Sequence, residues 1–342
     1  MAEILRYVNT ASTAGGDGTT NGTAGATRAY ATLAEAEANE QAAFSGDYLK
    51  ILCDGSTNDT VVSFNGSTFA SAADYIQVEA NTGNEALKTG IDASRYQITG
   101  ADTATIDVLD DNIRFVNLQI TPSGSGWGIG LNTLSASNDI RVSGCYFTFI
   151  TSMSTARGIL NSTEDVDDMI IENCVFFDLY DGILVGAGSY LFYNNDVFDC
   201  TSDGIEFDLG STYTIKNSNF GNNGTDIDSA GTATAVQYNC ADDDLDTIFS
   251  ESTNQQPLSS SWGNEKTAVT TGDFTAIAGG NIEGNGVGPS TDSTVPTTDI
   301  DGTTRSGTTC DIGCDEIAGA ASGGDFPAWL KNKSVKFHYT RR

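Results

Sequence analysis

Four asparagines, Asn173, Asn195, Asn217 and Asn239, stand 22 residues apart, and the sequence around them recurs. Ile171-Glu172-Asn173-Cys174-Val175-Phe176 aligns with Tyr193-Asn194-Asn195-Asp196-Val197-Phe198 and with Ile215-Lys216-Asn217-Ser218-Asn219-Phe220, and Gln237-Tyr238-Asn239-Cys240-Ala241 is a fading fourth copy. The register continues upstream at Val142–Phe147 and Phe115–Ile120 with steps of 29 and 27 residues, which leaves room for a longer loop in each. A second landmark, Gly158-Ile159, Gly182-Ile183, Gly204-Ile205 and Asp226-Ile227, follows at steps of 24, 22 and 22.

A unit this short, alternating with period two and punctuated by Gly and Asn, cannot bury its own apolar face, so successive units must stack as coils. Stacking places equivalent residues in columns about 4.8 Å apart. The alignment predicts an interior column of Phe147, Phe176, Phe198 and Phe220 and another of Ile159, Ile183, Ile205 and Ile227. It also predicts an asparagine column that satisfies turn backbone groups through side-chain amides. Cys145, Cys174 and Cys240 are expected in one further column as small packed residues.

The repeat, the Asn column and the stacked Phe and Ile columns resemble the right-handed parallel β-helix, or pectin-lyase-like, superfamily. Two further segments strengthen the likeness. Tyr7-Val8-Asn9, a Gly/Thr loop and Arg28–Ala36 are similar to the entry of such proteins, where a short helix plugs the first coil. Thr32 and Glu35 form a capping box, which predicts a helix of three turns starting at Thr32. Asp301-Gly302-Thr303-Thr304-Arg305 and Asp311-Ile312-Gly313-Cys314-Asp315-Glu316 resemble the closing segment of such proteins. The expected architecture is all-β. It comprises an N-terminal strand, loop and capping helix over residues 1–47, a parallel β-helix over 48–318, and a linker with a basic, aromatic arm over 319–342. Strand candidates in the early coils are Tyr48–Cys53, Asp74–Glu79 and Tyr96–Thr99, and residues 245–300 read as late coils or a wrapped loop.

Charge narrows the function. With 46 Asp and Glu against 16 Lys and Arg, the net charge is −30. Such a surface repels phosphate backbones, so no nucleic-acid partner is expected. No run of 18 apolar residues is present, so no membrane insertion is expected. Met1–Arg6 lacks a basic stretch leading into an apolar run, so no secretory signal is expected. Seven cysteines, an odd count, argue against a disulfide framework. Cys310 and Cys314 could bridge only in an oxidising medium.

Several residues can carry chemistry. Asp181 and Asp203 fall in one column, with Arg157 joining them if its longer step is absorbed in a loop. Glu206 and Asp228 share another column and Asp208 is close by. Paired carboxylates on an outer groove can serve as acid and base on a glycosidic bond, or are solvated turn residues. The Asn-Thr-Asp, paired Asp-Asp and Gly-His-Gly motifs that the resemblance implies for hydrolases are absent from the coils. The only histidine, His338, lies in the tail, which removes His-based catalysis from the body. A lyase would need a free Arg or Lys in the coils, where Arg114, Arg141, Arg157 and Lys216 stand, and calcium to bridge a polyuronate. Calcium is the one cofactor considered, at Asp165, Asp167 and Asp168 or in the run Asp242, Asp243, Asp244 and Asp246; solvated acidic turns are the alternative. Trp127 and Tyr180, with Arg157, are glycan-binding candidates. The tail places Trp329, Lys331, Lys333, Lys336, Phe337, Tyr339, Arg341 and Arg342 together, a composition suited to docking on an acidic partner or to capping the last coil.

These observations lead to a non-enzymatic surface protein of a virus particle, released by lysis, docked through its arm to other virion proteins or to copies of itself, a trimer included, and contacting glycans. A polysaccharide hydrolase or lyase using Asp181, Asp203, Glu206 or Asp208 is the first alternative. A cell-surface carbohydrate-binding module is the second.

Overall fold

The computed structural model describes residues 2–100, 103–131, 139–149, 155–161, 166–242, 252–253, 256–257, 265–305 and 307–317, without the side chains of Asp167, Asp168 and residues 252–257. The chain is a parallel β-helix, wound in the right-handed sense that such crossovers take. Three parallel sheets of ten, nine and seven strands run its length, here called sheets 1, 2 and 3. Sheet 1 begins at Ala2–Asn9 and Asp47–Asp54. Each coil from Asp47–Asp54 to the one that ends at Thr225–Ser229 contributes one strand to each sheet, as in Gly188–Tyr193, Asp196–Phe198 and Asp203–Phe207, and beyond it described strands are added to sheets 1 and 2 alone. No helix among the described residues is long and apolar enough to cross a membrane.

The helix is Leu33–Glu40, shorter than the three turns expected. Thr32 caps it by accepting from the Glu35 N–H. The buried carboxylate of Asp59 accepts from the Leu33 N–H at 2.7 Å and from the Tyr96 hydroxyl at 2.7 Å, so the orphan donors of the first turn are satisfied where no water reaches. Leu33 and Ala36 face the core.

The isoleucine column is as predicted, and it extends from Val62 through Ile106, Ile129, Ile159, Ile183 and Ile205 to Ile227. The glycine ahead of Ile129, Ile159, Ile183 and Ile205 has a steric reason. A Cβ at Gly128, Gly158, Gly182 or Gly204 would lie 2.5–2.6 Å from the carbonyl oxygen of the equivalent residue in the next coil. In these four coils a side chain would strike the backbone of the next coil, while Thr105 and Asp226 hold the same position in the coils on either side.

The phenylalanine column needs correction. Phe147 stacks on Phe176 with centroids 4.7 Å apart and planes at 4°, but Phe176 pairs with Val197, and Val197 with Phe220. Phe198 pairs with Phe177 and Gly221 on the opposite, outer face. The asparagine column is likewise two columns. Asn173, Asn194, Asn217 and Tyr238 take left-handed conformations with φ of 53° to 57° at the first turn position. Cys174, Asn195, Ser218 and Asn239 occupy the second. There Asn195 accepts from the Cys174 N–H at 2.9 Å and donates to the Ile171 carbonyl at 3.0 Å. Asn239 repeats this with Ser218 and Ile215. Cys145 and Cys174 share that second position, whereas Cys240 lies one residue on, paired with Asn219. All seven cysteines are free and buried.

Of residues 245–300, Ser252–Thr253 and Gln256–Pro257 add one late coil to sheets 1 and 2, and from 265 onward residues 265–305 and 307–317 are the wrapped loop. They form a strap laid over the outer face of sheet 2. Phe274 packs its ring against Tyr146, Phe177 and Phe198. Lys266 reaches Asp196 at 3.1 Å with both side chains fully buried. The left-handed asparagines hold the strap by its backbone. Asn173 donates to the Thr298 carbonyl at 2.7 Å, and Asn217 both donates to the Val287 carbonyl at 2.8 Å and accepts its N–H at 2.9 Å. Arg305, buried, donates to Asn173 Oδ1 at 2.9 Å and pairs with Glu316 at 3.4 Å. The closing segment seen in the sequence is therefore a latch.

Candidate functional site: the outer face of sheet 3

With sheet 2 covered by the strap, the outer face of sheet 3 presents the residues singled out for chemistry. Ala104, Trp127 and Arg157 stack in register, and Arg157 pairs with Asp181. Asp203 lies one coil beyond Asp181, since Ile183 pairs with Ile205. The 24-residue step is thus absorbed as expected. A parallel column runs Gly130, Leu160, Leu184, Glu206 and Asp228.

Asp181, Asp203 and Glu206 bring carboxylate oxygens within 4.8 Å of one another. Asp181 is only 1% exposed. Arg157 Nε donates to it at 2.6 Å, and the Asp203 N–H at 3.4 Å. The guanidinium of Arg157 also lies 5.6 Å from the Tyr180 ring centroid, within cation–π range. Ser202 donates to Asp203 at 2.6 Å. Burial, and then the charges of Asp181, Asp203, Asp208 and Asp228, push the Glu206 carboxyl above its ordinary range. Asp208 itself is exposed at the end of its strand.

Trp127 sits one coil before Arg157. Its indole lies against Gly130, where a Cβ would fall 2.1 Å from Nε1. That Nε1–H is buried and makes no hydrogen bond. Arg157 is the only cation in the strands of sheet 3, and it is tied to Asp181. Among the described residues the face therefore offers carboxylates and two aromatic rings, but no free arginine or lysine.

Ser202 and the corner glycines were not read as part of the site in the sequence. The Gly-Ile landmark was their signal. Of the calcium candidates, Asp165, Asp243, Asp244 and Asp246 and the side chains of Asp167 and Asp168 lie outside the described residues. So does the whole arm, including Trp329, Lys331, Lys333, Lys336, Phe337, Tyr339, Arg341 and Arg342.

No protein-family model matches the chain, and no curated protein matches it. Among solved structures, the chain is similar to a crystal structure of pectate lyase Pel9A, at 13% identity over 91% of this chain and 96% of that one, with a TM-score of 0.37. The β-helix is established by this chain's own strand registers, and that likeness adds nothing about activity.

Proposed function

We propose that this chain is a non-enzymatic surface protein of a virus particle, docked by residues 325–342 and contacting glycans along the outer face of sheet 3. One observation carries the reading of the face. Its single cation and its most buried carboxylate, Arg157 and Asp181, neutralise each other. A lyase that abstracts the proton with arginine or lysine needs a free one there, and none stands among the described residues of the sheet. What remains is a rigid column of one side chain per coil, aromatic at Trp127 and polar at Arg157 and Asp203 with Asp181 buried behind them, which suits recognition of an extended polymer. The basic, aromatic composition of the arm supports docking on an acidic surface.

Sedimentation of the full chain beside a variant ending at Gly324 tests the docking. The full chain should assemble and the shortened one should not; two equal monomers would overturn it. Binding of neutral polysaccharides should weaken in Trp127→Ala. A second reading, a retaining glycoside hydrolase, is favoured by the close approach of Asp203 to a Glu206 whose pKa is raised. Release of reducing ends by the parent chain, lost in Glu206→Gln, would establish it in place of the first.

A further inference from the structure

The left-handed asparagine column has an open member. Asn173, Asn194 and Asn217 each spend their amides on strap backbone groups. Asn117 stands earlier in the same column, with φ 57°. Its backbone is engaged, the N–H with the Ser143 carbonyl and the carbonyl with the Ala86 N–H. Its side-chain amide has no hydrogen-bond partner among the described residues. It borders a cavity of about 410 Å³ between the loop that carries Glu85, Ala86, Leu87 and Arg95 and the strap at Ile300–Gly302.

The geometry points to this cavity as a binding site for a neutral N-acetylated sugar unit. Three equivalent asparagines in this molecule bind peptide groups, so the open one is set to bind an amide, and an acetamido group is the amide that a sugar ring carries. The carboxylates of Glu85 and Asp301 can accept from hydroxyls, and Leu87 and Ile300 supply an apolar wall. Charge selects against an anionic sugar. Arg95 is paired with Asp92 at 3.3 Å and with Glu85 at 3.7 Å, and Lys88 is paired with Asp301 at 2.9 Å and also with Asp315. Among the described residues that line the cavity, no cation is left for a ligand carboxylate or sulfate. The volume accommodates a small sugar.

This inference deepens the reading that the chain contacts glycans, and its test is separable from that of sheet 3. Trisaccharides of N-acetylglucosamine and of glucose would be titrated by calorimetry against the full chain and against Asn117→Gly, which keeps the left-handed backbone and removes only the amide. The parent should bind the acetylated trisaccharide at least tenfold tighter than the other, and Asn117→Gly should lose that preference while melting at the parent's temperature. No saturable binding by the parent, or an undiminished preference in Asn117→Gly, overturns the site. Should Asn117→Gly lose its stability, Leu87→Ala at the half-buried part of the apolar wall takes its place, with the same loss expected. If Trp127→Ala abolishes polymer binding while the response of the cavity persists, both sites stand. If Trp127→Ala binds polymer normally, the sheet 3 reading fails and the cavity does not.

Discussion

Asn194 and Asn195 are adjacent, both fully buried or nearly so, and they should respond very unequally to substitution. Asn195 holds two buried backbone groups, the Cys174 N–H and the Ile171 carbonyl, at 2.9 and 3.0 Å. Asn195→Ala leaves both without partners, at about 1–3 kcal/mol each, so a total loss of about 3 kcal/mol is expected after partial relaxation. Asn194 sits at φ 57°, where glycine is at ease. Its bonds to the Asp311 and Gly313 carbonyls are 3.4 Å long, at the weak end of hydrogen bonding. Asn194→Gly should therefore cost about 1 kcal/mol or less. Urea unfolding followed by circular dichroism reads this directly. With a slope of about 3 kcal/mol per M, Asn195→Ala should move the midpoint down by about 1 M and Asn194→Gly by a third of that or less. Equal shifts, or a larger one for Asn194→Gly, would refute the division of the turn into an inner ladder and an outer latch.

Gly182→Ala should destabilise by about 1–3 kcal/mol in the same assay, because its Cβ meets backbone rather than a yielding side chain. Lys266→Ala leaves Asp196 buried and unpaired and should cost about 3–5 kcal/mol; limited proteolysis should then cut first within the strap, and cutting elsewhere would count against the strap as a separable layer. Thiol reagents at pH 8 should leave the native cysteines untouched, since burial pushes the Cys240 thiol up to about 12 and Cys310 to about 11, with Cys53, Cys174, Cys200 and Cys314 also raised; fast labelling of the native chain would contradict this packing. Glu206→Gln should raise the melting temperature at pH 7. The folded state lifts the Glu206 pKa, so its ionised form opposes folding above that pKa, and the gain should vanish as the pH falls below the ordinary carboxylate range.

The isoleucine column was legible because Gly-Ile recurs at the same place in four successive coils and the isoleucine continues it at Ile227, and the register agrees at every step. The asparagine and phenylalanine columns misled for a definable reason. The left-handed turn positions are Asn173, Asn194, Asn217 and Tyr238, spaced 21, 23 and 21. A short coil followed by a long one restores the average, and adjacent pairs, Asn194-Asn195 and Val197-Phe198, offer a residue of the right type at the wrong position. The sequence around Phe198 cannot show that its ring faces a covering layer, because the layer has no period. The strap is held by the packing of Phe274, by Lys-Asp pairs and by Arg305, none of which leaves a repeating mark, and the asparagines that bind its backbone are its one periodic trace. The site shared in the success of the glycine column. Arg157, Asp181 and Asp203 were aligned correctly because they stand immediately ahead of those glycines.

That adjacency explains why the carboxylates cluster at all. In a regular strand, residues three apart point to opposite faces. Asp203 and Glu206 both reach the outer side because the corner at Gly204 turns its own Cα position and that of Ile205 toward the interior: a Cβ at Gly204 would meet Val197 inside the coil, and Ile205 is in the core. The same corner at Gly182 sets Asp181 one coil away from Asp203. Three acids therefore converge as a consequence of how the coils close, whatever the face binds. Substitutions at the corner glycines would disturb fold and face together and so cannot assign a function. Isosteric changes at Glu206 and Asp203 alter the charge while leaving the corner intact, and only those changes can separate a recognising surface from a hydrolytic one.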